Sequence, residues 1–144
     1  MKADAATEKA VLAAMQEFLD AYRRRDADYL MTLAAPDADV ILIGTGADER
    51  RVGPAEIRAL AERDWSQSES AMFDLTWNSV SAAGPVAWVA SEGVVRASSG
   101  GQEVILPIRM TTVFEQRNGK WLLVQAHGSF PAPEQAEGES WPIE

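Results

Sequence analysis

Residues 105–130 read ILPIRMTTVFEQRNGKWLLVQAHGSF. Two runs in which apolar and polar side chains alternate meet at Asn118-Gly119. That dipeptide accepts the positive φ angles of a tight turn, so the stretch predicts a β-hairpin. The second run ends on His127-Gly128-Ser129, and His127 is the only histidine of the chain.

The register of this hairpin decides which side chains share a face, because slipping one strand by one residue moves its set to the other side. A two-residue turn sets Arg117 against Lys120 and pairs odd positions with even ones. A three-residue loop, Arg117-Asn118-Gly119, sets Gln116 against Lys120 and pairs like parities. The second arrangement sorts the residues better. Met110, Thr112, Phe114, Leu122, Val124 and Ala126 then make an apolar face. Arg109, Thr111, Val113, Trp121, Gln125, His127 and Ser129 make an amphipathic one, with Arg109 opposite His127.

Upstream of the hairpin the period is also two. Phe73, Leu75 and Trp77 alternate with Asp74, Thr76 and Asn78. Ala83-Gly84-Pro85 makes a turn. Val86–Arg96 is apolar on both faces, as a central strand is. Ser98-Ser99-Gly100-Gly101 turns the chain into the hairpin. Before Ala71 the periodicity is helical. In residues 7–24, Val11, Met15, Phe18 and Tyr22 recur at spacings of four, three and four, opposite Glu8, Gln16, Asp20 and Arg24. Asp26 or Asp28 caps a short second helix carrying Tyr29, Leu30 and Leu33, which Pro36 ends. Val40–Ile43 is a short buried strand, and Gly44–Gly53 a polar, glycine-rich loop. Gly53-Pro54 opens a third helix with proline in its first turn and Ile57, Leu60 and Ala61 facing inward. Helices first and strands after predict an α+β fold, with three N-terminal helices packed against a curved, mostly antiparallel sheet of four long strands and a short one.

The chain has 144 residues, enough for one domain with a real core. We place that domain at residues 1–130. The ending PAPEQAEGESWPIE, residues 131–144, is too polar and proline-rich to repay ordering, at ~1–2 kcal/mol per residue for the backbone, and reads as a flexible tail. Net charge is −9, with 13 basic and 22 acidic residues. That balance argues against nucleic acid or an anionic membrane as a partner, since both need clustered Lys and Arg. The one basic run, Arg23-Arg24-Arg25, falls where cations complement a helix C-terminus. Without cysteine there is no disulfide, thiolate metal site or cysteine nucleophile. The N-terminus lacks the apolar core of a signal peptide, and no apolar run approaches the ~20 residues of a membrane helix. These features predict a soluble cytoplasmic protein. Gly44-x-Gly46 followed by Glu49 is not a dinucleotide fingerprint, for the third glycine is missing and no helix follows at once. No metal or cofactor spacing occurs, and Asp26/Asp28 and Asp37/Asp39 read as caps.

Taken in order, AMQEFLDAYRRRDADYL, DADVILIGTGADERRVGPAEI and RMTTVFEQRNGKWLLVQAHGSF resemble the SnoaL-like domains of the nuclear transport factor two-like superfamily, over roughly residues 7–130. The last segment is also similar to the closing hairpin of the association domain of calcium/calmodulin-dependent kinase. The resemblance implies a cone whose sheet and helices enclose a ligand pocket, commonly in a dimer. It places Phe18, Tyr22, Ile43, Trp65, Trp88, Thr112 and Gly128 around that pocket. It does not carry over a known mechanism, because the superfamily hosts many functions. The tyrosine, base and acid of ketosteroid isomerase would fall at Phe18, near Gly44 and near Thr111. The paired histidines of scytalone dehydratase are excluded by a lone His127. The arginines of the kinase pocket would fall at Thr112 and Gly128.

What remains for chemistry is Glu92, mid-strand in VAWVASEGVV, as a general base if buried, with Arg109 and His127 as charge stabilisers. Each has a bland alternative: an arginine-paired or solvent-facing glutamate, which Gly93 could turn outward through a bulge, and sheet-surface or dimer-interface groups. Trp65, Trp77, Trp88 and Tyr22 are pocket aromatics or plain core. The expectation is a small-molecule-binding domain for an apolar or carboxylated organic ligand, with isomerase, cyclase or dehydratase chemistry open to it. The alternative is a non-catalytic dimerisation or ligand-sensing module. A homodimer through the sheet follows from the amphipathic face of the hairpin. The orientation of Glu92, Arg109 and His127 separates the two classes.

Overall fold

In the computed structural model, which describes residues 1–143, helix α1 (Ala5–Arg24) leads into the short α2 (Ala27–Thr32). Asp4 caps α1 by accepting from the Thr7 amide at 2.7 Å, which holds its own carboxyl below the usual range. Asp26 caps α2, accepting from the Tyr29 amide at 3.1 Å. The α1 C-terminus is closed by Arg25, a non-glycine residue at φ 60°. Its guanidinium donates to the carbonyls of Trp65 and Ser68, both at 2.7 Å. The basic run thus does more than complement a dipole, since its last member ties α1 to the end of α3 (Pro54–Ser66).

The strands are β1 (Ile41–Ile43), β2 (Arg50–Val52), β3 (Ser70–Ala83), β4 (Val86–Ser99), β5 (Gln102–Arg117) and β6 (Lys120–Ser129). They form one sheet in the order β2-β1-β6-β5-β4-β3. All pairs are antiparallel except β1 with β6. The fold is α+β, helices first, as the sequence predicts. One element differs: the glycine-rich stretch read as a loop contains β2, which turns back onto β1 with Leu42 opposite Arg51. Three residues with two adjacent arginines carry no alternation to read.

The hairpin register is a second correction. Asn118 (φ 52°) and Gly119 (φ 77°) form a two-residue turn, with Arg117 opposite Lys120. Odd–even pairing holds only as far as Phe114 opposite Leu123; a bulge then slips the register so that Val113 faces Gln125. Beyond it like parities pair, Thr111 with His127 and Arg109 with Ser129. Arg109 and His127 are therefore diagonal rather than opposite. Trp121 and Leu123 turn into the core, buried to 9% and 4% exposure. The bulge lets one strand present apolar residues inward on both sides of an irregularity.

The core lies between the helices and one face of the sheet. Val11, Met15 and Leu19 of α1 meet Val80, Val89, Phe114 and Leu123. Residues 131–143 are exposed. No described helix is long and apolar enough to cross a membrane.

Candidate functional site

Helical spacing on α1 turns Met15, Phe18, Leu19 and Tyr22 to one side. On α3 it does the same for Ile57, Leu60, Ala61 and Asp64. Between them and the sheet lies a cavity of about 330 Å³. Its floor is the inward set of β5 (Ile108, Met110, Thr112, Phe114), with Phe73, Ala126 and Gly128 from neighbouring strands. Small residues at 126 and 128 of β6 leave room where larger ones would close it.

The walls are apolar apart from a few groups that are mostly paired with one another. The Tyr22 hydroxyl donates to Asp64 Oδ2 at 2.9 Å. Its ring packs against Trp65 and Phe73, with centroids 5.7 and 5.5 Å away. Burial, then the neighbouring Asp64 carboxylate, pushes the Tyr22 pKa strongly upward. Burial also raises the Asp64 carboxyl, against the opposing pull of the Tyr22 hydrogen bond. Glu49 lines the cavity too, but its carboxylate accepts from Arg63 and from the Gly46 amide, each at 2.9 Å. It folds over the turn so closely that a Cβ on Gly44 would sit 2.1 Å from Glu49 Oε2. This close approach is what the glycines of GTGADE accommodate. Thr112, almost fully buried, contacts Met15 Sδ at 3.8 Å, and Ser68 donates to the Asp64 carbonyl at 2.8 Å.

Of the residues expected around a pocket, Phe18, Tyr22, Ile43, Thr112 and Gly128 line this cavity. Trp65 is not among its lining residues; it backs Tyr22, with its indole N–H buried and unpaired. Trp88 is on the opposite face of the sheet, level with Ser81 and Val113. Asp64 is the residue the sequence reading missed. The signal was available, since Asp64 continues the apolar stripe of Ile57, Leu60 and Ala61 one turn on. An acid on an inward stripe is a buried acid or a site.

The candidates Glu92, Arg109 and His127 do come together, but outside the cone. All three are exposed, on the sheet face away from the helices. They border a shallow hollow of about 190 Å³ with Trp77, Thr111 and Ser129. Glu92 stands directly across from Arg109 on one side and Trp77 on the other. The cause is Gly93. Opposite it β3 bulges between Leu75 and Trp77, and the Asp74 carbonyl comes to within 2.0 Å of where a Gly93 Cβ would be. The bulge lies on β3 rather than at Gly93 itself, and the glycine makes space for it.

The fold has many solved counterparts. A nuclear transport factor two-like superfamily protein from Salmonella enterica serovar Typhimurium aligns at a TM-score of 0.82 and 16% identity, covering 96% of this chain and 100% of its own. A candidate dehydratase of the same superfamily from Streptomyces avermitilis aligns at 0.80 and 22% identity, covering 86% and 96%. A candidate calcium/calmodulin-dependent kinase II association domain from Xanthomonas campestris aligns at 0.76 and 22%, covering 85% and 86%. At these identities the likeness concerns the fold alone. No functionally curated protein matches the sequence. The SnoaL-like domain family model matches residues 11–133, from the first buried position of α1 to just past β6, and the chain belongs to that family.

Proposed function

We propose that this protein binds a small, mainly apolar organic molecule inside its cone. The observation that carries this reading is the cavity of about 330 Å³, apolar apart from the Tyr22–Asp64 pair, Glu49 and a few hydroxyls. Such a space is the usual form of a small-molecule site, a largely apolar pocket with a few placed polar groups. Binding, rather than catalysis by Glu92, Arg109 and His127, is the reading the geometry favours. Those three stand on the far side of the sheet from the cavity, where an exposed carboxylate has no reason to act as a base on a molecule held inside. Isomerase or dehydratase chemistry in this cone would have to run through Tyr22 and Asp64.

The outer face is the proposed dimer surface. It presents Trp77, 53% exposed, with Trp88, Thr111 and Val113 along the strands toward one end and Ile105, 48% exposed, farther along β5 toward the other. No helix covers it, and apolar exposure on this scale marks interaction sites. Glu92, Arg109 and His127 then supply polar groups within the interface. Sedimentation should give a dimer at micromolar concentration that Trp77→Arg converts to monomer; a wild-type monomer would refute this part.

Ligand binding is tested with methylnaphthalene, followed by the change in its fluorescence on entering the cavity from water and its reversal when an apolar competitor displaces it. Gly128→Phe fills the cavity floor and should abolish saturable binding while circular dichroism is unchanged. Equal binding by wild type and Gly128→Phe would refute a cavity site.

A further inference from the structure

Resting on the cavity-binding reading, we infer that Asp64 sets ligand class: the cone takes an apolar molecule bearing one hydrogen-bond donor, a protonated amine or a hydroxyl, and rejects carboxylates. The charged side chains that line the cavity are Glu49 and Asp64, and no Lys, Arg or His lines it. Arg63 is occupied by Asp48 at 2.6 Å and Glu49 at 2.9 Å. Arg25 is occupied by two carbonyls. Of the four hydroxyls at the wall three are engaged, and Thr45, on the glycine-rich turn beside Gly44, is the exception among the described residues. Tyr22 donates to Asp64, Ser68 to a backbone carbonyl, and Thr112 points at the Met15 sulfur.

Acceptor capacity is what is left over. Both Glu49 oxygens already accept, from Arg63 and Gly46. Asp64 accepts the Tyr22 hydroxyl through Oδ2, and among the described residues no donor reaches Oδ1. A bound carboxylate would shed its water into an apolar space, find no cation there and have at most the single Thr45 hydroxyl to accept from, beside two like-charged carboxylates, which is costly. A ligand N–H or O–H would satisfy Oδ1 with a charge-assisted bond. Burial, and after it the nearby Glu49 carboxylate, raise the Asp64 pKa, as expected of an acid turned toward an apolar space. Tyr22 is the positioning residue, because its hydroxyl and its packing against Trp65 and Phe73 hold the carboxylate in one orientation.

The test uses the full-length protein and four probes of matched shape: naphthylmethylamine, naphthylmethanol, methylnaphthalene and naphthoic acid. Calorimetry at neutral pH should rank the amine and the alcohol above methylnaphthalene and naphthoate last. The amine should exceed naphthoate by roughly tenfold or more, the worth of a hydrogen bond to a charged group. Asp64→Asn, nearly isosteric, should collapse the amine's advantage while methylnaphthalene binding is kept and the thermal midpoint is not lowered. Tyr22→Phe should keep the order of the probes but narrow the amine's lead, because the carboxylate loses the bond that orients it. Naphthoate binding as tightly as the amine would overturn the inference, as would an amine preference that survives Asp64→Asn. If methylnaphthalene binds and Gly128→Phe abolishes it while the donors bring no gain, the cavity reading stands and only the ligand class falls. If no probe distinguishes wild type from Gly128→Phe, the cavity reading falls and takes this inference with it.

Discussion

Two glycines on the strands that flank β5, Gly93 on β4 and Gly128 on β6, should respond in opposite directions to the same substitution. An alanine Cβ at Gly128 would meet Ile108 Cδ1 at 3.6 Å, Thr45 Cγ2 at 3.8 Å and Met110 Cγ at 4.0 Å, all ordinary contacts with side chains. Alanine there removes the backbone-entropy cost of a strand glycine, ~0.5–1 kcal/mol, and adds a partly buried methyl. Gly128→Ala should therefore stabilise by about 1 kcal/mol. At Gly93 the same Cβ would lie 2.0 Å from the Asp74 carbonyl oxygen and 2.7 Å from Leu75 Cα. Both are backbone atoms of the β3 bulge, so no rotamer change relieves the overlap. Overpacking costs ~1–3 kcal/mol, and parting β3 from β4 gives up ladder hydrogen bonds at ~0.5–1.5 kcal/mol each. The net loss for Gly93→Ala should be about 2–3 kcal/mol.

The two variants should thus differ by roughly 3–4 kcal/mol, or about 10 °C in thermal midpoint for a chain of this size. Urea melts at one fixed protein concentration would measure it, with unchanged m-values showing that two-state unfolding is kept. A Gly93→Ala variant as stable as Gly128→Ala would refute the close approach at the bulge. It would refute with it the account of why Glu92 and Trp77 face outward side by side.

Burial raises the Asp64 carboxyl, so Asp64 favours the folded state below its unfolded pKa and loses that contribution as pH rises through the folded value. Asp64→Asn should therefore be more favourable relative to wild type at neutral pH than in acid, with Tyr22, Glu49, Arg51 and Arg63 as the surrounding polar and charged groups. A difference in thermal midpoint that does not vary with pH would contradict this. Arg25→Ala removes the guanidinium bonds to the Trp65 and Ser68 carbonyls while keeping a side chain at φ 60°. It should cost about 2–4 kcal/mol, with Arg25→Gly milder because glycine accepts that angle; equal losses would show that strain plays no part. Truncation after Ala132 should change stability by less than about 0.5 kcal/mol, since residues 133–143 are exposed, Trp141 at 72%. A drop of several degrees would show that the tail supports the domain.

The α+β order was legible because its signals are local and redundant. Period 3.6 gives way to period two near Ala71, Pro54 opens α3, and Asn118-Gly119 closes the hairpin. Register was legible only in part. Asn118-Gly119 fixes a two-residue turn, but a bulge one residue wide at Phe114/Leu123 restores like-parity pairing beyond it. Sorting by hydrophobicity alone chose the parity that is right for Arg109, Thr111 and His127 and wrong for Trp121. Nothing in a list of alternating residues marks where a strand gains one extra member. The strand β2 escaped for a related reason: it is held by pairing with β1, not by its own pattern.

The site was harder to read, and the reason bears on where function resides in this fold. The eye goes to rare or charged residues in strands, hence to Glu92, Arg109 and His127. In a sheet with one face packed against helices, however, such residues are the ones alternation sends outward. An interior polar group must be sought where a helix stripe is interrupted by an acid, as at Asp64, three residues after Ala61. Tyr22 occupies the matching place on α1, four residues after Phe18. The two stripes converge on the cavity, and their polar members meet at 2.9 Å because Arg25 binds the ends of the two helices together. The left-handed residue that terminates α1 is in this sense part of the site. It sets the distance between the helices, and with it the hydrogen bond that leaves one oxygen of Asp64 open to a ligand.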